Sequence, residues 1–177
     1  QDNPAENQDD AAELRKMIVT ESWKMIVTDI EGHGVKFFMR IFEIAPPALQ
    51  LFSFRDVADP EKSPQLKAHA SVVMRTVGEA VAGLSDVQSL IPVLQNLGAG
   101  HAKYGVQPEH FPIVGQALLW TLEQGLGGAG AWTPEVKDAW TKTYATVQSV
   151  MEPALAAEIQ KSGEKKAAAE AAASASA

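Results

Sequence analysis

The stretch Leu97-Gly98-Ala99-Gly100-His101-Ala102-Lys103-Tyr104-Gly105-Val106 places a histidine directly after a run of small residues. Gly98, Ala99 and Gly100 carry almost no side-chain bulk, so a broad flat group can approach the helix that presents His101. Leu97, one turn back, lies where it can pack beneath such a group. A second histidine, His69, sits upstream on another helix-patterned segment, with Val73 four residues on sharing its face. The chain has four histidines and no cysteine, so a metal cofactor held through nitrogen has these two as its natural ligands. Phe38, Phe42, Phe52 and Phe54 precede them and can wall an apolar pocket. Plainer readings stand beside each of these. A histidine near a helix end is often a cap, one near a helix start is often half-exposed, and phenylalanines at helical spacing are usually core.

Around these residues the pattern is helical throughout. Leu14, Ile18, Trp23, Ile26, Val27 and Ile30 fall on a 3.6-residue stripe. Gly32 and Gly34 are expected to break that helix, and Val35 to Ile44 to form a second, stopped by Pro46-Pro47. Ser53 to Pro64 reads as a charged loop. Ser63-Pro64 is an N-cap followed by a helix-opening proline, leading a helix from Gln65 to about Leu84. Ser85 with Gln88 resembles a capping box for a helix through about Tyr104. Pro92 inside it predicts a kink or two short helices. Pro108 is expected to open a helix through Leu126. After the turn Gly127 to Gly130, Thr133-Pro134 starts a last helix through Trp140, Tyr144 and Val147 to about Ile159. His33 and His110 lie near turns and read as surface or capping residues. Lys-Met-Ile-Val-Thr occurs twice, at Lys16 to Thr20 and Lys24 to Thr28. Two helical turns separate the copies, which can then share a face, although so short a repeat also arises by coincidence.

The 177 residues suit one domain. The acidic stretch 1–10 is expected to be a disordered tail, 11–160 the folded domain, and the Ala/Lys/Glu-rich 161–177 a tail that extends the last helix or frays. A net charge of −7 argues against a nucleic-acid partner and against docking on anionic lipid. No apolar run is long enough for a transmembrane helix. Without cysteine there is no disulfide, thiol nucleophile, iron–sulfur cluster or covalently tethered c-type haem. That composition fits a cytoplasmic protein and leaves an extracellular one open. Zinc-protease, di-iron, nucleophile-elbow and phosphate-loop motifs are all missing.

Several short words recur in a fixed order: Glu21-Ser22-Trp23, Phe37-Phe38-Met39-Arg40-Ile41-Phe42-Glu43-Ile44-Ala45-Pro46, Leu51-Phe52-Ser53-Phe54-Arg55-Asp56, Leu66-Lys67-Ala68-His69, His101-Ala102-Lys103-Tyr104-Gly105-Val106 and Trp132-Thr133-Pro134-Glu135. In order and spacing they resemble the globin family from Ala11 to Ala154. The likeness is closest to plant-type non-symbiotic haemoglobins and to animal globins of the globin X and neuroglobin kind. It implies an all-α globin fold of up to eight helices around non-covalent haem b. His101 matches the proximal iron ligand. His69 matches the distal histidine, which either donates to a diatomic gas or occupies the sixth site itself. Phe52 matches the residue that wedges the ring, with Phe54 beside it. Phe38 and Val73 match residues crowding the gas site, and Leu97, Val106 and Phe111 match proximal packing. The loop between Phe52 and His69 is shorter than in the plant proteins. Val72 stands where some globins place a basic residue near a haem propionate.

The implied function is reversible binding of dioxygen for storage, transport or sensing. An enzymatic alternative is nitric oxide dioxygenation or nitrite reduction, which needs an electron-donating reductase as a separate partner. A second alternative is a haem-free helical protein acting through protein contacts. Monomer and homo-oligomer both fit.

Overall fold

Capping side chains, more than glycines, set where the helices of this chain begin. The computed structural model describes residues 4–176. Among them are six α-helices, four 3-10 turns and no strand. The α-helices are α1 (Pro4–Ile26), α2 (Ile30–Ile44), α3 (Pro64–Gly83), α4 (Val87–Gly100), α5 (His110–Gly127) and α6 (Pro134–Ala175). The sequence pattern predicts an all-helical chain, and every regular element among the described residues is helical.

The break between α1 and α2 falls at the 3-10 turn Val27–Asp29, ahead of the glycines expected to cause it. Asp29 is the reason: its carboxylate accepts from Gly32 N at 3.0 Å and caps α2. Gly34 serves close packing instead. A Cβ there would lie 3.0 Å from Ala70 Cβ and 3.1 Å from the Ala70 carbonyl, so α2 crosses α3 tightly at this point.

Ser63 caps α3 by accepting from Leu66 N at 3.4 Å, with Pro64 in the first turn, as its sequence predicts. The cap of α4 is Asp86, which accepts from Ser89 N at 3.3 Å and Ser89 Oγ at 2.6 Å. The expected Ser85–Gln88 box does not form, and Ser85 donates to the Ala82 carbonyl instead. Pro92 neither splits nor ends α4. Pro92 lacks an N–H, so the carbonyl it deprives lies at exposed Gln88, where water reaches it. Pro108 stands in a turn before α5, whose first residue is His110. His110 Nδ1 accepts from Gln107 N at 2.9 Å, the capping role its position suggested.

Residues 4–10 continue α1 rather than being disordered, with all their side chains in solvent. Pro4 opens the helix and Glu6 in the first turn opposes the helix dipole. Residues 1–3 and 177 lie outside the described residues. At the other end, α6 carries on past Ile159 through Ala175, exposed from Gln160 onward.

Inside, Trp23 of α1 meets Trp140 of α6 with ring centroids 5.8 Å apart. Trp140 donates its indole N–H to Ser22 Oγ at 2.9 Å, and that hydroxyl donates onward to the Ile18 carbonyl at 2.7 Å. Both indoles and the serine are buried. Ser22→Ala removes the acceptor of a buried N–H and is expected to destabilise the fold by about 1–3 kcal/mol, read from urea unfolding.

His33 departs from its sequence reading as a surface or cap residue. It lies within α2 and faces α5, where a Cβ on Gly125 would come within 2.8 Å of His33 Cε1. Its Nδ1 is buried without a partner. Burial lowers its pKa from the ordinary 6.5, Lys36 adds to the effect, and Asp29 opposes it. The unfolded chain therefore takes up this proton more readily than the folded one. His33's contribution to stability is complete above pH 6.5 and declines as pH falls below it. His33→Gln should flatten the fall in urea midpoint across that acid range.

Candidate functional site

Three elements bring the pocket residues together. α2 supplies Phe38 and Phe42. The extended residue after the 3-10 turn Pro46–Leu51 supplies Phe52. α3 supplies His69 and Val73 from its second and third turns. The His69 ring lies against Phe38 and Phe52, with centroids 5.2 and 5.4 Å away. Phe38 and Phe52 meet edge to face at 5.7 Å. Phe42 closes the triangle, 5.5 Å from Phe52. Phe54 is buried behind this wall, stacked on Phe52 at 5.1 Å. Phe38 is buried, Phe52 and Val73 are half-buried, and His69 is exposed.

α4, the 3-10 turn and loop after it and the start of α5 supply Leu97, His101, Val106 and Phe111. His101 begins the 3-10 turn His101–Tyr104 that follows Gly100. Its Nδ1 lies 2.5 Å from the Leu97 carbonyl, four residues back. A carbonyl only accepts, so Nδ1 carries the proton and Nε2 keeps a free lone pair. Such a bond also fixes the ring's orientation and raises the basicity of the other nitrogen. Leu97 and Val106 are half-buried near it, and Phe111 at the start of α5 is buried.

Loss of water lowers the pKa of His69, and the charge of His101 lowers it further. At neutral pH His69 is therefore a neutral ring with one N–H and one lone pair.

Two contacts fix the His101 side, and neither is evident from the histidine's own neighbourhood. A Cβ on Gly98 would run into the Met151 carbonyl oxygen and lie 2.9 Å from Met151 Cα, so α4 and α6 touch backbone to backbone three residues before His101. Tyr144 of α6 donates its hydroxyl to the Phe111 carbonyl at 2.5 Å, and its ring occupies the notch over Gly115. Burial, then the charge of Glu152, raises the Tyr144 pKa far above its ordinary value, so the phenol keeps its proton. The glycines were the available signal for both contacts, since each marks a place where another element comes close.

Among the described residues, no group of three or more His, Cys, Asp or Glu is arranged to share a metal ion. Two imidazoles alone do not complete a protein metal site. A metal here must bring further ligands of its own, and the aromatic walls suit a flat apolar carrier of them. Val72, at the position where a basic residue was looked for, is 57% exposed and offers no charge to an anionic group.

The globin family model matches residues 35–151. An anaerobic nitrite reductase of Brassica napus is 39% identical over 75% of this chain and 84% of its own. Another, from the moss Physcomitrium patens, is 37% identical over 73% of each. A globin of Drosophila melanogaster superposes with a TM-score of 0.71 at 19% identity, covering 77% of this chain and 90% of that one. A hexacoordinated haem protein of an anhydrobiotic tardigrade superposes with a TM-score of 0.74 at 19% identity, covering 80% and 92%. The helical order, the family match over residues 35–151 and these likenesses agree, and the chain belongs to the globin family.

Proposed function

We propose that this chain holds haem b without a covalent tether and uses it to bind dioxygen and other diatomic gases reversibly. One observation carries the reading: His101 has its Nδ1–H tied to the Leu97 carbonyl, which leaves Nε2 free, and His69 lies against the phenylalanine wall of Phe38 and Phe52. When bound, haem would supply an iron able to take a diatomic guest. His101 would hold the iron through Nε2. Phe52, Val73, Leu97, Val106 and Phe111 would line the ring's faces, with Phe54 backing Phe52. Phe38 would wall the His69 side with an apolar ring. His69 would donate its N–H to a polar guest, or offer its lone pair to the iron when no guest is present. The description of the tardigrade neighbour as hexacoordinated supports that second role. The lack of cysteine supports a cytoplasmic setting for the globin domain, which we place at residues 11–160.

His69→Leu tests the distal role. A hydrogen bond to a guest carrying partial charge contributes about 1.5–3 kcal/mol, so dioxygen should leave about 10- to 100-fold faster. Stopped-flow displacement by carbon monoxide measures this, and unchanged rates would remove His69 from the account.

The same site supports a second reading, reduction of nitrite to nitric oxide, favoured by the descriptions of the plant and moss relatives. A separate reductase would supply the electron. Nitric oxide released by the reduced protein from nitrite without air, at a rate above that of free haem, tests it.

A further inference from the structure

The outer face of α1 is apolar and unaccounted for by the site. The repeat at Lys16 to Thr20 and Lys24 to Thr28 is longer than five residues. Glu13-Leu14-Arg15-Lys16-Met17-Ile18-Val19-Thr20 is followed directly by Glu21-Ser22-Trp23-Lys24-Met25-Ile26-Val27-Thr28. Each copy closes the same ion pair, Lys16 with Glu13 at 2.9 Å and Lys24 with Glu21 at 2.8 Å. Each copy also leaves its methionine in water: Met17 is 56% exposed and Met25 39%, with Leu14 at 52%. At about 100° per residue, Leu14, Met17, Glu21 and Met25 fall in a band about 80° wide. That band faces away from Val19, Ser22, Trp23 and Ile26, which pack the core. The core thus uses one side of α1, and the other side carries the exposed apolar residues Leu14, Met17 and Met25 around Glu21.

We propose that this band docks a second copy of the chain, α1 against α1, antiparallel about a two-fold axis beside Ile18 and Val19. Charge selects this partner. The chain as a whole carries −7, yet the segment from Glu13 to Thr28 holds three basic residues (Arg15, Lys16, Lys24) against two acidic ones (Glu13, Glu21). Two copies meet here without the repulsion they would feel elsewhere. The antiparallel axis sets Glu13 of each copy opposite Lys24 of the other, and both residues lie on the same flank of the band. Two cross-molecule ion pairs then border a seam in which Leu14 of one copy comes within a turn of Met25 of the other, and Met17 lies along the Glu21 stem. A two-fold contact of this kind is self-complementary and closes at two. A helix of this length buries well under the roughly 800 Å² per partner of a stable complex. The acidic turns Glu6 to Asp10 also approach the partner's end of α1 near Asp29. The dimer is accordingly weak.

Sedimentation velocity of the full chain, from about 5 to 500 µM, is the test. A reversible monomer–dimer equilibrium is expected within that range. Met17→Glu should raise the dissociation constant by about tenfold or more, and Lys24→Glu should raise it too. The double change Glu13→Lys with Lys24→Glu should recover most of the loss, because it restores opposite charges across the axis. Every substituted position is solvent-exposed, and far-UV circular dichroism confirms that helix content is kept. A monomer at every concentration overturns the proposal. So does a dimer unmoved by Met17→Glu, or a double variant no better than Lys24→Glu alone.

Discussion

Replacing His101 with glycine should strip the chain of haem while leaving its helices intact, and imidazole added to the buffer should restore the pigment. His101 is half-exposed and outside the buried core, so its removal costs little packing. What it removes is the Nε2 lone pair that the Leu97 carbonyl holds in place. Losing even a supporting contact around a metal ligand typically costs about 10- to 100-fold in affinity. Losing the ligand itself should accelerate haem loss by more than about 100-fold, measured as transfer to a haem scavenger. Free imidazole can enter the space that the side chain vacates and supply the same nitrogen. Rescue by imidazole separates a lost ligand from a lost fold, since a collapsed pocket would not respond to it.

Gly98→Ala is expected to have the second largest effect. Its new methyl would collide with the Met151 carbonyl oxygen. Both partners are backbone in long helices, so no flexible side chain can swing aside. Overpacking of this kind costs about 1–3 kcal/mol and more where backbone must shift. Because α4 carries His101 one turn later, the shift should also disturb the imidazole and loosen haem retention. Gly100→Ala is the control. Nothing lies within 4 Å of its added methyl, and alanine favours helix by roughly 0.5–1 kcal/mol. Thermal unfolding should therefore move in opposite directions for two identical substitutions two residues apart.

The residues that were legible in the sequence are those whose chemistry is scarce. Histidines in a chain without cysteine stand out, and the structure sets one of them, His69, against Phe38 and Phe52. Ser63-Pro64 and Thr133-Pro134 were legible because a cap and a first-turn proline act locally. What stayed hidden depends on other elements. Gly34 looked like a helix breaker because its reason for being glycine, contact with Ala70, lies on another helix. His33 looked like a turn residue because Gly125, which it faces, is far along the chain. The bond from Tyr144 to Phe111 spans thirty-three positions and has no local signature. The acidic start read as disorder by composition, yet Pro4 and Glu6 favour helix at that end. In the repeat, sequence alone showed two similar peptides, and only placement showed that one side of each is buried while its methionine faces water.

The central claim is that His101 anchors a haem facing His69, and visible absorption of the purified, haem-supplemented chain tests it most directly. Ferric, deoxy-ferrous and carbonmonoxy spectra should each show an intense Soret band at one haem per chain. The carbonmonoxy form should appear as gas displaces His69 or fills an open site, and the band should vanish in His101→Gly until imidazole is added. A chain that stays colourless, or a His101→Gly variant that keeps an unchanged spectrum, would contradict the account.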